Sequence, residues 1–532
     1  MNLRRTRILL ALVGLTIAAV ASGSAESPLR VKTDHGVVAG ILEPDAKVIA
    51  FEGIPYAAPP TGDLRWKPPQ AAAKWPGVRS AASFGAHCPQ FENNIDVVFR
   101  DPGASEDCLT LNVWTPANAR GKKLPVMVWI HGGGFVYGGS SEPRQDGRYL
   151  AERQVVVVSM NYRLGILGFM AHPELTAESP EHASGNYGLM DIAAALEWVK
   201  RNIECFGGDS ENVTLFGESA GSFAVSVLMA SPHSNWLFAK AIGQSGGAFF
   251  SPGLVVQSRS EREERDSNFV KATLGTSRLS ELREVPVETL IKKVSESSTP
   301  FVFGPDIDGE FLKDAVPNVY AAGRQAHIPL LAGWTADEGR NQVIDAGASI
   351  TASSFAAQAQ RDFGARAPEF LSLYPAATSE ELQNSASDYA GDHSIAYSTW
   401  RWLEAQVKTG RSPVYRYLFE LGSPGDDRHA ANLGAFHTDD IEYVFGTLDA
   451  RPHTRWRPED RELSGRMMSY WTNFARTGDP NGTALPAWPP YLESTGWQVM
   501  HFNATQSATP DMRRGRYLFL DQAWDKSRTS VR

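Results

Sequence analysis

The segment Gly217-Glu218-Ser219-Ala220-Gly221 follows directly on Asn212-Val213-Thr214-Leu215-Phe216. It runs on into Phe223, Val225, Val227, Leu228 and Met229. A strand-like run that turns through Gly-x-Ser-x-Gly into a run long enough for a buried helix leaves few folds open. So tight a turn forces Ser219 into a strained backbone conformation, and bulk at 217 or 221 would strike the neighbouring strand and helix. Glycine removes that bulk. The turn raises a hydroxyl at the carboxyl edge of a sheet, above the start of a helix. Five residues alone would also fit an ordinary glycine-rich turn. The strand before and the helix after make Ser219 a candidate nucleophile.

The 532 residues are 42% hydrophobic and 21% charged with no charge block, so the chain can build a large core. A formal net charge of −9 argues against a nucleic-acid partner. At the N-terminus Arg4, Arg5 and Arg7 precede the apolar run Ile8 to Val20, and small residues follow to Ala25. This is the pattern of a secretory signal peptide over residues 1–25, cut after Ala25. The run is short for a membrane span, and no other stretch approaches the ~18 apolar residues that a span needs. The mature chain, 26–532, is therefore expected to be secreted or periplasmic, with no membrane span. Arg7 stands where a twin-arginine export signal wants an apolar residue, which weakens that route.

An exported chain meets an oxidising compartment, and three cysteines are present: Cys88, Cys108 and Cys205. Cys88 and Cys108 are close in sequence and flank a polar segment, so they are paired, for a contribution of about 3 kcal/mol if unstrained. Cys205, at the end of an apparent helix, is read as a buried free thiol.

Strand candidates open the chain at Leu29–Lys32 and Val37–Ile41. Val126–Ile130 and Val155–Met160 are short, continuously apolar runs, the mark of strands covered on both faces. Residues 192, 196, 199 and 203 form a helical stripe. Further strand candidates lie at 241–245, 328–332 and 414–419. The alternation predicts an α/β fold: a large, mostly parallel central sheet flanked by helices, with a β-rich lead-in. The polar, helix-like regions 255–300 and 345–412 read as excursions from the sheet, and residues 26–532 as one domain.

A serine nucleophile needs a base, a group to orient the base, and donors for the oxyanion. The donors are the clearest. His131-Gly132-Gly133-Gly134-Phe135 follows the run 126–130, and consecutive glycines leave backbone N–H groups uncovered. Gly133 and Gly134, with the N–H of Ala220, are assigned as the oxyanion hole. The chain order Ser, acid, His places the acid in Thr335-Ala336-Asp337-Glu338-Gly339, where the residues alone do not choose between Asp337 and Glu338. The base lies among His393, His429, His437, His453 and His501. His437-Thr438-Asp439-Asp440 is poor evidence for a metal, and neither a metal nor a cofactor is expected.

Taken together the motifs resemble the type-B carboxylesterase/cholinesterase family, including bacterial para-nitrobenzyl-esterase-like enzymes. They include Phe51-Glu52-Gly53-Ile54-Pro55-Tyr56, Ser105-Glu106-Asp107-Cys108-Leu109 and Asn161-Tyr162-Arg163-Leu164-Gly165. Others are Phe206-Gly207-Gly208-Asp209, Asp337-Glu338-Gly339 and Tyr470-Trp471-Thr472-Asn473-Phe474. The resemblance implies an α/β-hydrolase fold with Glu338 as the triad acid and His437 as the base. It also supports the Cys88–Cys108 bridge. Glu218 resembles a buried family glutamate that tunes the site's field, although a purely structural carboxylate fits the residue as well. The implied function is a secreted serine carboxylesterase acting on small-molecule esters through an acyl-enzyme.

Departures bear on substrate. Cholinesterases hold a quaternary ammonium on a tryptophan in the disulfide loop. Here that loop carries Phe91, Phe99 and Arg100 and no Trp, which disfavours choline esters. An amidase, a carbamate hydrolase or an acyltransferase would use the same machinery. So would an esterase for polyanionic substrates of the fumonisin type, for which Arg100, Arg144 and Arg340 are candidate contacts. A non-catalytic adhesion module is argued against by the complete set Ser219, Glu338 and His437. No motif speaks to oligomeric state.

Overall fold

The computed structural model describes residues 29–91, 97–249, 256–297, 303–425 and 433–529. The expected signal segment lies outside them. In chain order the strands are β1 (Arg30–Lys32), β2 (Val37–Ala39), β3 (Ile41–Leu42), β4 (Val48–Pro55), β5 (Val78–Ser80), β6 (Thr110–Pro116) and β7 (Leu124–Ile130). They continue with β8 (Val156–Met160), β9 (Gly208–Glu218), β10 (Lys240–Gln244), β11 (Leu330–Thr335), β12 (Val414–Phe419), β13 (Gln498–Phe502) and β14 (Ser507–Pro510).

Among the described residues, eleven strands form one sheet in the order β14-β13-β12-β11-β10-β9-β7-β8-β6-β4-β3. Its middle, from β8 through β7 and β9 to β13, is parallel, and both margins are antiparallel. This is the α/β-hydrolase arrangement, a large and mostly parallel sheet with helices on its faces. β1, β2 and β5 make a separate three-stranded sheet. The lead-in run 37–41 is therefore not one strand. It breaks at Gly40, where a β-carbon would come within 2.4 Å of the Ala50 carbonyl, and its two halves enter different sheets.

The apolar runs behave as two-faced strands. Val126, Val128 and Ile130 of β7 pack into the core on one side of the sheet, and Met127 and Trp129 into the core on the other. Side chains alternate between faces along a strand, so burial on both sides demands a continuous apolar run. Helix Tyr187–Asn202 buries Ile192, Leu196 and Val199, as the stripe predicts. Helix Ala220–Ala230, which follows the elbow, has every residue buried. The polar excursions are helical, with helices at Arg259–Leu274, Val287–Ser295, Ala352–Phe363, Ser379–Gly391 and Tyr397–Thr409.

Cys88 and Cys108 form a disulfide. Cys205 is free but exposed, not buried. It lies in a 3₁₀ turn, Ile203–Phe206, of which only Ile203 and Phe206 are buried. Three residues per turn put those two on the inner side and leave Glu204 and Cys205 facing out. Among the described residues, no helix is long and apolar enough to cross a membrane.

Candidate active site

Parallel pairing sets Gly217 between Ile130 and Gly243, and Glu218 opposite Gln244. Ser219 is the first residue past this edge. Its φ is +55° and its ψ −120°, a backbone conformation that an L-residue adopts only when its surroundings impose it. They do so by contact. A β-carbon on Gly221 would lie 2.1 Å from the Ile130 carbonyl oxygen, and one on Gly217 would lie 2.6 Å from the Gly221 carbonyl carbon. The Ser219 N–H donates to the Gln244 carbonyl at 2.8 Å, tying the turn to β10.

The glycine loop leaves the end of β7 and folds back over this serine. Gly133, Gly134 and Phe135 have φ of +97°, +62° and +64°. A β-carbon on Gly132 would meet Glu218 Oε2 at 2.6 Å and the Ser219 β-carbon at 3.2 Å, so the loop presses directly on the elbow. Among the described residues, the N–H groups of Gly133 and Gly134 donate to no other group. Ala220 opens its helix, where the first N–H groups have no partner within the helix. The loop that carries Gly133 and Gly134 thus lies against the turn that leads into Ala220.

β11 ends at Thr335 and delivers Asp337 and Glu338 to the same edge. The structure separates their roles. Glu338 reaches His437, its Oε2 2.6 Å from Nδ1, while its Oε1 accepts the Thr335 N–H at 3.0 Å. Asp337 instead accepts the Ala435 N–H at 3.0 Å, and its own N–H donates to the Ala435 carbonyl at 2.9 Å. The acid loop is thereby zipped to the loop that carries the histidine. His437 Nε2 lies 2.9 Å from Ser219 Oγ. With the imidazole proton on Nδ1, beside the carboxylate, Nε2 is free to accept the serine proton.

His393, His453 and His501 stand elsewhere. His393 packs edge-on against Tyr389 and Trp524, and His501 pairs with Glu420. His453 lies on a separate turn after the 3₁₀ segment Leu448–Ala450. His429 is outside the described residues.

The electrostatics are dominated by buried acids. Burial alone would raise Glu338, but the His437 charge and hydrogen bond, with the bonds from the main chain and Ser245, hold it below the usual carboxylate range. Burial alone would lower His437, but Glu338, Glu218 and Asp440 together push it up to about 9. Glu218 is raised to about 8, first by burial, with Asp440 and Glu338 adding and His437 and Arg144 opposing. Its Oε1 lies 3.3 Å from His437 Nε2 and makes no hydrogen bond. Asp439 and Asp440 take their hydrogen bonds from residues other than His437. Asp439 accepts the Ser423 N–H and pairs with Arg451, and Asp440 accepts the Tyr417 hydroxyl.

Among the candidate arginines, Arg100 stacks on Phe84, pairs with Asp146 and donates to the Ser141 carbonyl. Arg340 donates to Asn384 and lies 4.0 Å from Asp337. Arg144 points inward, beneath the histidine loop, rather than into solvent. In the disulfide loop Phe99 stacks on His87 and Phe91 meets Tyr137 edge-on. The tie made by Asp337 and the inward turn of Arg144 were not legible in the sequence, because neither residue lies near in the chain to what it holds.

Comparison with known proteins identifies the family of the chain. Residues 27–520 match the carboxylesterase family. The chain is 36% identical over 500 residues to a fumonisin B1 esterase of Sphingopyxis macrogoltabida, covering 93% of this chain and 90% of that protein. It is 34% identical over 489 residues to a para-nitrobenzyl esterase of Bacillus subtilis strain 168, covering 87% and 93% respectively. It is also 34% identical over 532 residues to an acetylcholinesterase of Bungarus fasciatus, covering 91% and 84%.

Proposed function

The chain belongs to the carboxylesterase family and is a carboxylic ester hydrolase of small-molecule substrates, and we propose that it works through Ser219, His437 and Glu338 by way of an acyl-enzyme. The reading is carried by one observation. The hydroxyl on the strained elbow lies 2.9 Å from an imidazole whose other nitrogen lies 2.6 Å from a buried carboxylate.

In the first step His437 Nε2 takes the Ser219 proton as Oγ attacks the ester carbonyl. The oxyanion that forms is met by the N–H groups of Gly133, Gly134 and Ala220. Glu338 keeps the imidazole in the right tautomer and stabilises its cation. His437 then gives the proton to the alkoxide oxygen, the C–O bond breaks and the alcohol leaves. Water, deprotonated by the same nitrogen, attacks the acyl-enzyme, and the proton returns to Ser219 as the acid departs.

Residues 26–532 act as one domain in this reading, exported behind the segment 1–25. The Cys88–Cys108 bridge supports passage through an oxidising compartment. For substrate, the disulfide loop offers Phe91 and Phe99 in place of a tryptophan, and Arg100 is held by Asp146. This favours neutral esters over choline esters. A polyanionic ester is the second reading, favoured by the relative named for fumonisin B1. A panel of esters varying acyl length, alcohol size and charge separates the two.

Ser219→Ala is expected to lower kcat on p-nitrophenyl esters by about 10⁶-fold, with the protein still folded by circular dichroism. Turnover retained in a clean preparation would overturn the assignment.

A further inference from the structure

We propose that Arg144 is a positioning residue for the base: it fixes the backbone next to His437 and balances the acids gathered behind the imidazole. This rests on the reading that His437 serves Ser219. Arg144 stands in the 3₁₀ turn Pro143–Gln145, on the chain that continues from the oxyanion glycines. Its Nη2 donates to the carbonyl of Thr438 at 3.1 Å. Thr438 follows the base directly and has φ +78°. A β-branched residue reaches that left-handed conformation only under constraint. The guanidinium takes up the carbonyl in that position. In return the Thr447 hydroxyl donates to the Arg144 carbonyl at 2.6 Å, pinning the turn to the far end of helix Ile441–Phe445.

The charge of Arg144 matters as much as its reach. Its Nε lies 3.7 Å from Glu442 Oε1, and Glu142, Glu218 and Asp439 also act on it. Asp439 has a second cation in Arg451. His437 is faced by Glu338, Glu218 and Asp440, with the Tyr417 hydroxyl on Asp440. Glu218 belongs to both sets, so Arg144 offsets a carboxylate that lies 3.3 Å from the proton-accepting nitrogen. A surface arginine or a hook for a substrate anion would point outward. This side chain is only 19% exposed, and its fork is turned toward the protein's own carbonyl and carboxylates.

The test is the pH profile of ester hydrolysis in Arg144→Met and Arg144→Lys, with p-nitrophenyl acetate as substrate. Arg144→Met is expected to lower kcat about 10- to 100-fold with KM within about threefold. The acid limb of kcat/KM should also move to lower pH, because without the cation Glu218 holds its proton more tightly, and a neutral Glu218 no longer favours the imidazolium. Lysine keeps the charge without the planar fork. Arg144→Lys should therefore return the limb to its wild-type position while kcat stays below wild type.

A folded Arg144→Met with wild-type kcat and an unmoved limb overturns the inference, whatever its melting temperature. So does Arg144→Lys matching Arg144→Met in both readouts. Where Arg144→Met does not fold, Arg144→Lys decides alone, and wild-type kcat overturns it. Ser219→Ala keeps the premise separate: activity in that variant removes the nucleophile assignment, whereas an inactive Ser219→Ala beside a wild-type-like Arg144→Met overturns only the role of Arg144.

Discussion

Ser219 is mounted on core backbone, whereas His437 is mounted on a loop tied down by polar side chains from elsewhere in the chain. At the elbow, Gly221 presses on the Ile130 carbonyl and Gly217 on Gly221, with the sheet on one side and a wholly buried helix on the other. At the base, Asp337 holds Ala435, Arg144 holds Thr438, Arg451 pairs with Asp439 and Tyr417 bonds Asp440. Steric exclusion specifies the first and hydrogen bonding the second. Close packing demands glycine at fixed positions and so leaves a local fingerprint. Polar ties are made by residues scattered along the chain, and no spacing announces them.

The contrast can be broken most forcefully at Gly221. Alanine there puts a β-carbon 2.1 Å from the Ile130 carbonyl oxygen, and its nearest neighbours are all main-chain atoms of Ile130 and His131, with no flexible side chain to yield. The variant should lose more than about 4 kcal/mol or fail to fold. Chemical denaturation followed by tryptophan fluorescence measures it, and wild-type stability would mean that the elbow is not sterically defined.

Glu338→Gln should do the opposite, leaving the fold in place while kcat falls about 10⁴-fold through loss of imidazole orientation and charge. Steady-state kinetics beside a melting curve checks the pair of outcomes. A large stability loss with little change in kcat would place Glu338 among the structural carboxylates.

The smallest expected effect is at Glu218. Only the neutral imidazole can accept the serine proton, so kcat/KM should rise with pH through the titration of His437, which its acids push up to about 9. An ionised Glu218 favours the charged imidazole and so holds that limb at high pH. Glu218→Gln should shift the limb to lower pH by up to about one unit. A limb that stays in place would show that Glu218 does not act on the base.

What could be read from the sequence follows the same division. The two-faced strands, the elbow and the glycine loop were legible because each is a local pattern with one steric cause. The residues alone narrowed the acid to two neighbours, and the family resemblance pointed to Glu338; in the fold Glu338 reaches His437 while Asp337 reaches Ala435. His437 could not be picked from five histidines by spacing. It was found through the family resemblance of the residues around it. Cys205 was placed wrongly because the end of the apparent helix is a 3₁₀ turn, which buries Ile203 and Phe206 and leaves Glu204 and Cys205 facing out. Arg144 read as a candidate contact for a polyanionic substrate because its partners, Thr438 and Glu442, lie far along the chain.

The central claim is that the elbow serine is the nucleophile and that the base loop activates it. Diethyl p-nitrophenyl phosphate, which phosphorylates an activated serine, tests it when labelling is followed by digestion and peptide mass spectrometry. The account predicts one diethylphosphoryl group per chain, on Ser219, appearing in step with the loss of esterase activity and absent from Ser219→Ala. Inactivation accompanied by a label on any other residue, with Ser219 unmodified, would contradict it.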